Sequence, residues 1–174
     1  MTESVCPKTL DTTLEDRGYK AIDHTSVQLL SLTELREPSM HTVKVDQKLN
    51  DEWLRKFCIL NNQDECNKAT MKQMLSLILP KTCFISLSHN DIVVAYGLGV
   101  LERGYLGIFD IVVDSRHRNV GFGEQLMLNL LHWGKENGAQ YAYLQVMLNN
   151  APALRLYSKL GFQEEYRYWY RVKD

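Results

Sequence analysis

The stretch that most limits what this chain can fold into is Phe109 to Met127, FDIVVDSRHRNVGFGEQLM, where the hydrophobic period changes once. Ile108 to Val113 is a short run of β-branched and aromatic residues, which predicts a mostly buried strand ended by Asp114 and Ser115. From Gly123 onward, Leu126, Leu130 and Leu131, with Met127 and Trp133 nearby, recur at the spacing of a helix packed on a sheet. The joint is Arg116-His117-Arg118-Asn119-Val120-Gly121-Phe122-Gly123. Two glycines bracketing one apolar residue just before a helix let the backbone approach a ligand and aim several N–H groups at one point. The helix dipole makes that point positive and two arginines add full charges, so a phosphate or pyrophosphate is its natural occupant; a plain structural turn is the competing reading. No Lys-Ser/Thr follows and a third glycine is missing, which disfavours a nucleoside triphosphate or a nicotinamide cofactor.

A chain of 174 residues supports one compact α/β domain plus an extension, with a core large enough to need no staples. Its formal net charge of -1 argues against nucleic acid as the main partner. No apolar run is long enough to cross a bilayer and no signal-peptide pattern opens the chain, so the cytoplasm is the expected location. Cys6, Cys58, Cys66 and Cys83 lack C-x-x-C spacing and the histidines show no ligand pattern, so no metal site is expected and the thiols read as reduced core filling.

In chain order, a short helix around Thr12 to Asp16 stops at Gly18 and leads into a strand through Thr25 to Leu32. Glu37-Pro38-Ser39 breaks the pattern and sets the expected boundary between an extension, residues 1–38, and a main domain, residues 39–174. His41 to Val45 reads as a strand. Asn50 to Leu60 reads as a capped helix, followed by a polar turn and a helix from Asn67 to Leu79 whose Met71, Met74, Leu75 and Ile78 form a core stripe. Thr82 to Ser88 and Ile92 to Leu101 form a hairpin, in which Gly97 and Gly99 hint at a bulge or a close backbone approach. Tyr105 to Val113, the helix Glu124 to Asn137, and the buried strand Gln140 to Val146 complete a mixed sheet.

Val113-Asp-Ser-Arg-His-Arg118-Asn-Val-Gly121-Phe-Gly123 resembles the acyl-CoA pyrophosphate loop of the GNAT superfamily of N-acetyltransferases, V-x-P-x-x-[RQ]-x-x-G-x-[GA], with Ser115 where that family often has proline. Asn149 to Phe162, NNAPALRLYSKLGF, is similar to the family's N-x-x-A-x-x-L-Y-x-x-x-G-F segment. The order of elements over residues 39–174 matches as well. The resemblance implies an α/β (α+β) GNAT fold, a mixed central sheet with helices on both faces, and acetyl-CoA as acyl donor. It also implies that Asn119, Val120, Gly121, Phe122, Gly123 and Glu124 hold the diphosphate with Arg118, that Ile111, Val112 and Val113 offer backbone groups to the pantetheine arm, and that Asn150 is a further contact.

Acetyl transfer to an amine needs a neutral amine, donors for the developing oxyanion and a proton for the departing thiolate. By resemblance, Tyr157 is the general acid, and its reference pKa near 10 keeps it protonated at neutral pH. The base is open. Gln145 stands where some N-terminal acetyltransferases carry a glutamate, and Asp110, set in an apolar strand where burial would raise its pKa, is the best substitute, with Glu102 or a water chain as further candidates; an amine-recognising or merely hydrogen-bonded carboxylate is the alternative role for Asp110. The expected acceptor is a small-molecule amine, with a peptide amine or a non-catalytic acyl-CoA-binding module as alternatives. No nucleic-acid or membrane partner is expected. An edge-like N-terminal strand is compatible with a homodimer. Leu14-Glu-Asp-Arg-Gly-Tyr19 before that strand echoes Tyr157-Ser-Lys-Leu-Gly-Phe162 before the last one, so residues 1–38 are either an ordinary extension covering a sheet edge or the closing fragment of a second GNAT-like half.

Overall fold

The computed structural model describes residues 7, 9–40, 42–61 and 64–173, with the backbone alone for 65 and 66. His41, Cys6 and the Asn62-Gln63 part of the expected turn lie outside the described residues. The elements run α1 Leu10–Asp16, β1 Lys20–Ser31, β2 Val43–Asp46, α2 Asp51–Leu60, α3 Glu65–Ser76, β3 Lys81–His89, β4 Ile92–Glu102, β5 Tyr105–Val113, a 3₁₀ turn Ser115–His117, α4 Phe122–Glu136, β6 Tyr141–Met147, α5 Ala151–Leu160 and β7 Gln163–Val172. They fall into two compact units, Ser31–Ala142 and the residues up to Leu30 together with Tyr143 onward.

In the Ser31–Ala142 unit, β2, β3, β4 and β5 lie side by side and pair antiparallel. Both hairpin turns use two left-handed residues, Asn90 and Asp91 (φ 50° and 61°), then Arg103 and Gly104 (φ 51° and 80°), the turn type that matches strand twist. Side chains alternate along β4. Tyr96 and Leu98 join Phe84 and Val112 in a cluster with Trp53, Leu54, Phe57 and Cys58 of α2. Gly97 and Gly99 face the other way, where an added Cβ would come within 3.4 Å of Leu126 and 2.8 Å of Leu130 of α4. Helices therefore cover both faces of these strands, and α4 comes close because two glycines make room for its leucines.

α2 begins where Asn50 Oδ1 accepts the Trp53 N–H at 2.7 Å, and Trp53 Nε1 donates to the Ile85 carbonyl at 3.1 Å. Fully burying a large apolar side chain of this kind contributes roughly 1.5–3 kcal/mol. α3 ends at Ser76, short of the expected Leu79. Met71, Leu75 and Ile78 pack against the α2 cluster, but Met74 is 66% exposed, so the expected stripe is only partly core. Residues 33–40, which have no hydrophobic period, run along α4. Gln125 Oε1 accepts from the Ser39 and Met40 N–H groups at 2.8 and 3.0 Å, Asn129 Nδ2 donates to the Met40 carbonyl at 2.8 Å, and Lys135 Nζ to the Thr33 carbonyl at 2.8 Å.

In the other unit the strand order is β6, β1, β7. β1 pairs antiparallel with β7 from Lys20↔Val172 to Leu29↔Gln163. The N-terminal strand is thus an inner strand with Thr25, Ser26, Val27 and Gln28 buried, which corrects both the edge-covering reading and the edge-strand premise for a dimer. α1 is tied to β7 through Arg171, 7% exposed, which donates to Asp11 at 2.7 Å and Glu15 at 3.0 Å, and through Trp169 Nε1, which donates to Asp11 at 2.8 Å.

Candidate active site

Each unit builds its own set of candidate residues from local sequence. At the end of β5, the Asp114 N–H donates to the Val94 carbonyl at 2.8 Å while the Asp114 carboxylate accepts from Arg116 at its backbone N (3.0 Å), Nε (3.2 Å) and Nη2 (2.7 Å). Arg116 beside it holds that carboxyl well below the ordinary range. The chain then passes through Arg118, Asn119 and Val120, all exposed, with Arg118 Nε donating to the Val113 carbonyl at 3.3 Å. Gly121, at φ 95°, is the N-cap of α4 and supplies no side-chain acceptor to its first turn. The first N–H groups of any helix lack partners within it, so the N–H groups from Phe122 onward meet the positive end of the dipole where no side chain caps them. An added Cβ at Gly121 would meet nothing within 4 Å. Phe122 is 7% exposed and anchors the helix start; Gly123 is half-buried, and Glu124 pairs with Arg36 at 3.0 Å.

Asp110 is where the structure departs most from expectation. Between the pairs Tyr96↔Val112 and Leu98↔Phe109, β5 carries one residue more than β4. The bulge predicted from Gly97 and Gly99 thus has its extra residue in β5, and Asp110 takes a left-handed φ of 55° that aspartate tolerates better than branched residues do. The side chain is exposed rather than buried in the strand as expected. Surrounding protein still removes enough water to push its carboxyl above the usual carboxylate value. Beyond the bulge, Ile111 and Val113 are half-buried and Val112 is buried.

In the other unit, Asn150 Oδ1 caps α5 by accepting the Ala153 N–H at 3.3 Å, and Pro152 sits in the first turn, where its missing N–H is of little consequence. Tyr157 lies two turns in, 8% exposed, with its ring 5.9 Å from Phe162. Burial raises its phenol above the ordinary value, so it holds its proton through neutral pH. Gln145 accepts a hydrogen bond from Tyr168 Oη at 2.8 Å. The two motifs lie in different units, with Arg118 to Glu124 and Asp110 in one, Tyr157 and Asn150 in the other.

Sequence reasoning missed the clamps of the turn. Asp114 was only a strand stop and His117 only a loop residue, because a turn's internal hydrogen bonds leave no periodic trace. Arg116, expected to add charge for a ligand, is committed to Asp114. Among the described residues no group of three or more His, Cys, Asp or Glu side chains could hold a metal, and no helix is long and apolar enough to cross a membrane. Cys58 and Cys83 are buried free thiols, and burial pushes Cys83 up to about 12.

One unit thus offers a four-strand antiparallel array followed by an uncapped, glycine-led helix, and the other a helix carrying a buried tyrosine. Residues 44–162 match the model of the Acetyltransferase (GNAT) family, and the chain belongs to that family. It is 30% identical over 171 residues to the uncharacterized N-acetyltransferase YobR of Bacillus subtilis (strain 168), covering 96% of this chain and 69% of the relative. Shorter matches are to streptothricin acetyltransferase of Streptomyces lavendulae, 40% identical over 33% of this chain and 30% of that protein, and to the [ribosomal protein bS18]-alanine N-acetyltransferase of Escherichia coli (strain K12), 30% identical over 45% and 53%. A GCN5-related N-acetyltransferase from Sphaerobacter thermophilus shares the fold, with a TM-score of 0.72 at 15% identity over 98% of this chain. The chain spans 58% of that structure's length.

Proposed function

We propose that this chain transfers an acetyl group from acetyl-CoA to a primary amine of a small molecule by direct attack in a ternary complex, acting in the cytoplasm. The observation that carries the proposal is the start of α4, where left-handed Gly121 leaves the helix uncapped beside the exposed Arg118. That donor set fits a diphosphate. In this reading Asn119, Val120, Gly121, Phe122, Gly123 and Glu124 grip the diphosphate through main-chain N–H groups, and Arg118 adds charge. Backbone groups of Ile111, Val112 and Val113 hold the pantetheine arm, and Asn150 adds a contact through the amide that remains after capping. Acetyl-CoA supplies an activated thioester. Tyr157 delivers a proton to the departing thiolate, a role its raised pKa suits because the phenol stays protonated until the thiolate appears. Asp110 takes the proton from the acceptor's ammonium, and a carboxylate with a raised pKa is a better base than an ordinary one.

Thiol release from acetyl-CoA over a panel of polyamines, amino acids, aminoglycosides and peptides tests the reading, with release expected for a small amine. The streptothricin relative acts on a small molecule by name and the bS18 relative on a protein alanine, so release only with peptides would move the acceptor to the second class. Tight acetyl-CoA binding with no release for any amine would favour a binding module, a reading that Gln145 keeps in view. Gly121→Asp should abolish acetyl-CoA binding in calorimetry, because it adds a carboxylate over the uncapped helix start at a left-handed position. Unchanged affinity would place the diphosphate elsewhere.

A further inference from the structure

Between Asp114, buried at the end of β5, and Phe122, buried at the start of α4, every side chain is exposed except that of His117. Two residues of this stretch, Asn119 and Gly121, have left-handed φ values of 63° and 95°. Such a segment has little packing of its own to fix its path. His117 is the one side chain in it that reaches inward on both sides.

His117 Nδ1 is fully enclosed and has no hydrogen-bond partner, and Asp114 Oδ2 lies 3.7 Å away. The Asp114 carboxylate is kept ionised by its bonds from Arg116. A bare Nδ1 lone pair facing that anion would be repelled, whereas an Nδ1–H would be attracted to it. The proton of the neutral ring therefore belongs on Nδ1. On its other side the His117 ring centroid lies 6.2 Å from that of Phe122, which also meets His89 at 4.9 Å. Arg116 does not make the same link, because its side chain is 79% exposed and its pairing stays within the turn. The charged neighbours of His117 are Asp114, Arg116 and Arg118 of the same turn; the rings it meets from α4 and, beyond it, from β3 are Phe122 and His89.

We propose that His117 is a positioning residue for the phosphate-binding turn: held by Asp114 on one side and Phe122 on the other, it sets the direction in which the first N–H groups of α4 point. This rests on the acetyl-CoA reading above and extends it to a residue that never touches the ligand. It also accounts for an enclosed, unpartnered nitrogen in a turn that is otherwise open to solvent.

The test uses the full chain with desulfo-CoA in calorimetry and acetyl-CoA in kinetics. His117→Phe keeps a ring against Phe122 and removes the attraction to Asp114, so affinity should fall about tenfold, with the loss in KM for acetyl-CoA and little in kcat. His117→Asn restores a donor toward Asp114 and should recover part of that loss. Asp114→Asn combined with His117→Phe should be no worse than the poorer single variant, because both break one link. Long-range nitrogen NMR of the free protein should show His117 protonated at Nδ1. An unchanged affinity for His117→Phe, fully additive losses in the double variant, or a ring protonated at Nε2 alone would each overturn the proposal. If the wild-type chain binds no desulfo-CoA at all, the acetyl-CoA reading fails instead, and the NMR tautomer still decides whether the clamp exists.

Discussion

The helix and strand at the start of the chain and those at its end are the same local structure built twice, and only one of the two carries the proposed general acid. α1 runs through Gly18 into β1, and α5 runs through Gly161 into β7. At one constant sequence offset, the Gly18 N–H donates to Glu15 and the Tyr19 N–H to Leu14, at 2.8 and 3.0 Å, while the Gly161 N–H donates to Ser158 and the Phe162 N–H to Tyr157, both at 3.0 Å. The glycines share left-handed φ values of 82° and 96°. The same offset relates the packing: Gly18 comes nearest Lys173, and Gly161 nearest Leu30. The two strands pair antiparallel, so the copies are related by a local twofold. What differs is the side chains. Leu14 stands where the other copy has Tyr157, and Pro7 where it has Asn150. The closing helix and strand are a scaffold that folds with or without a phenol, and the proposed acid is one residue placed on it.

The largest expected effect sharpens that contrast directly. Tyr157→Phe should lower turnover by about 100-fold or more with acetyl-CoA affinity nearly unchanged, the range for losing a general acid, while Leu14→Phe should leave both nearly as they were. Stopped-flow thiol release and calorimetry would measure this, and equal turnover for Tyr157→Phe would remove it as the acid. Next in size, Gly161→Ala and Gly18→Ala should each destabilise the fold by about 1–2 kcal/mol in urea titration, because a left-handed residue with a side chain is strained. Gly161→Ala should be the worse of the two, since its Cβ would sit 3.4 Å from Leu30 while Gly18 has 4.0 Å to the flexible end of Lys173. Equal and negligible losses would show that the two turns are not under the same constraint.

The smallest effect concerns what holds the first copy down. Hydrogen bonding from Arg171 lowers the Asp11 carboxyl to about 2 from an ordinary 3.8. A carboxyl whose folded pKa is depressed stabilises the fold above its unfolded pKa, and that contribution is lost as pH falls through the folded value. Wild type should therefore lose part of its stability between about pH 4 and pH 2 that Asp11→Asn has already lost, read as converging melting temperatures on acidification. Parallel curves for the two proteins would mean that Arg171 gains nothing from Asp11.

Much of this was legible in the sequence, and the exceptions have a common cause. A cap at Asn50 or Asp51 and another at Asn149 or Asn150, which the structure places on Asn50 and Asn150, the hairpin at Asn90-Asp91 and the glycine-led start of α4 all follow from rules acting over a few residues. The placement of β1 between β6 and β7 depends on pairing across most of the chain, which no local pattern encodes. Met74 was expected in the core because helical spacing identifies a stripe, but not how much of the stripe a neighbour covers; α3 leans on α2 rather than on the sheet. Asp110 was expected to be buried because an apolar strand was assumed to stay in register, and a bulge moved it out.

The supernumerary residue in β5 has a consequence for how this protein can change over time. Leu106 and Ile108 point toward α4 on one side of Asp110, whereas on the other side it is Val112 that joins Phe109's partner Leu98 on the α2 side. Substituting Asp110 removes one exposed carboxylate and keeps the bulge; deleting it would set Ile111 opposite Gly97 in regular register, with Ile111, Val112 and Val113 still on the faces they occupy now. The bulge residue is thus the one place in β5 where the strand can lose a residue without turning its faces over, and what goes with it is the carboxylate.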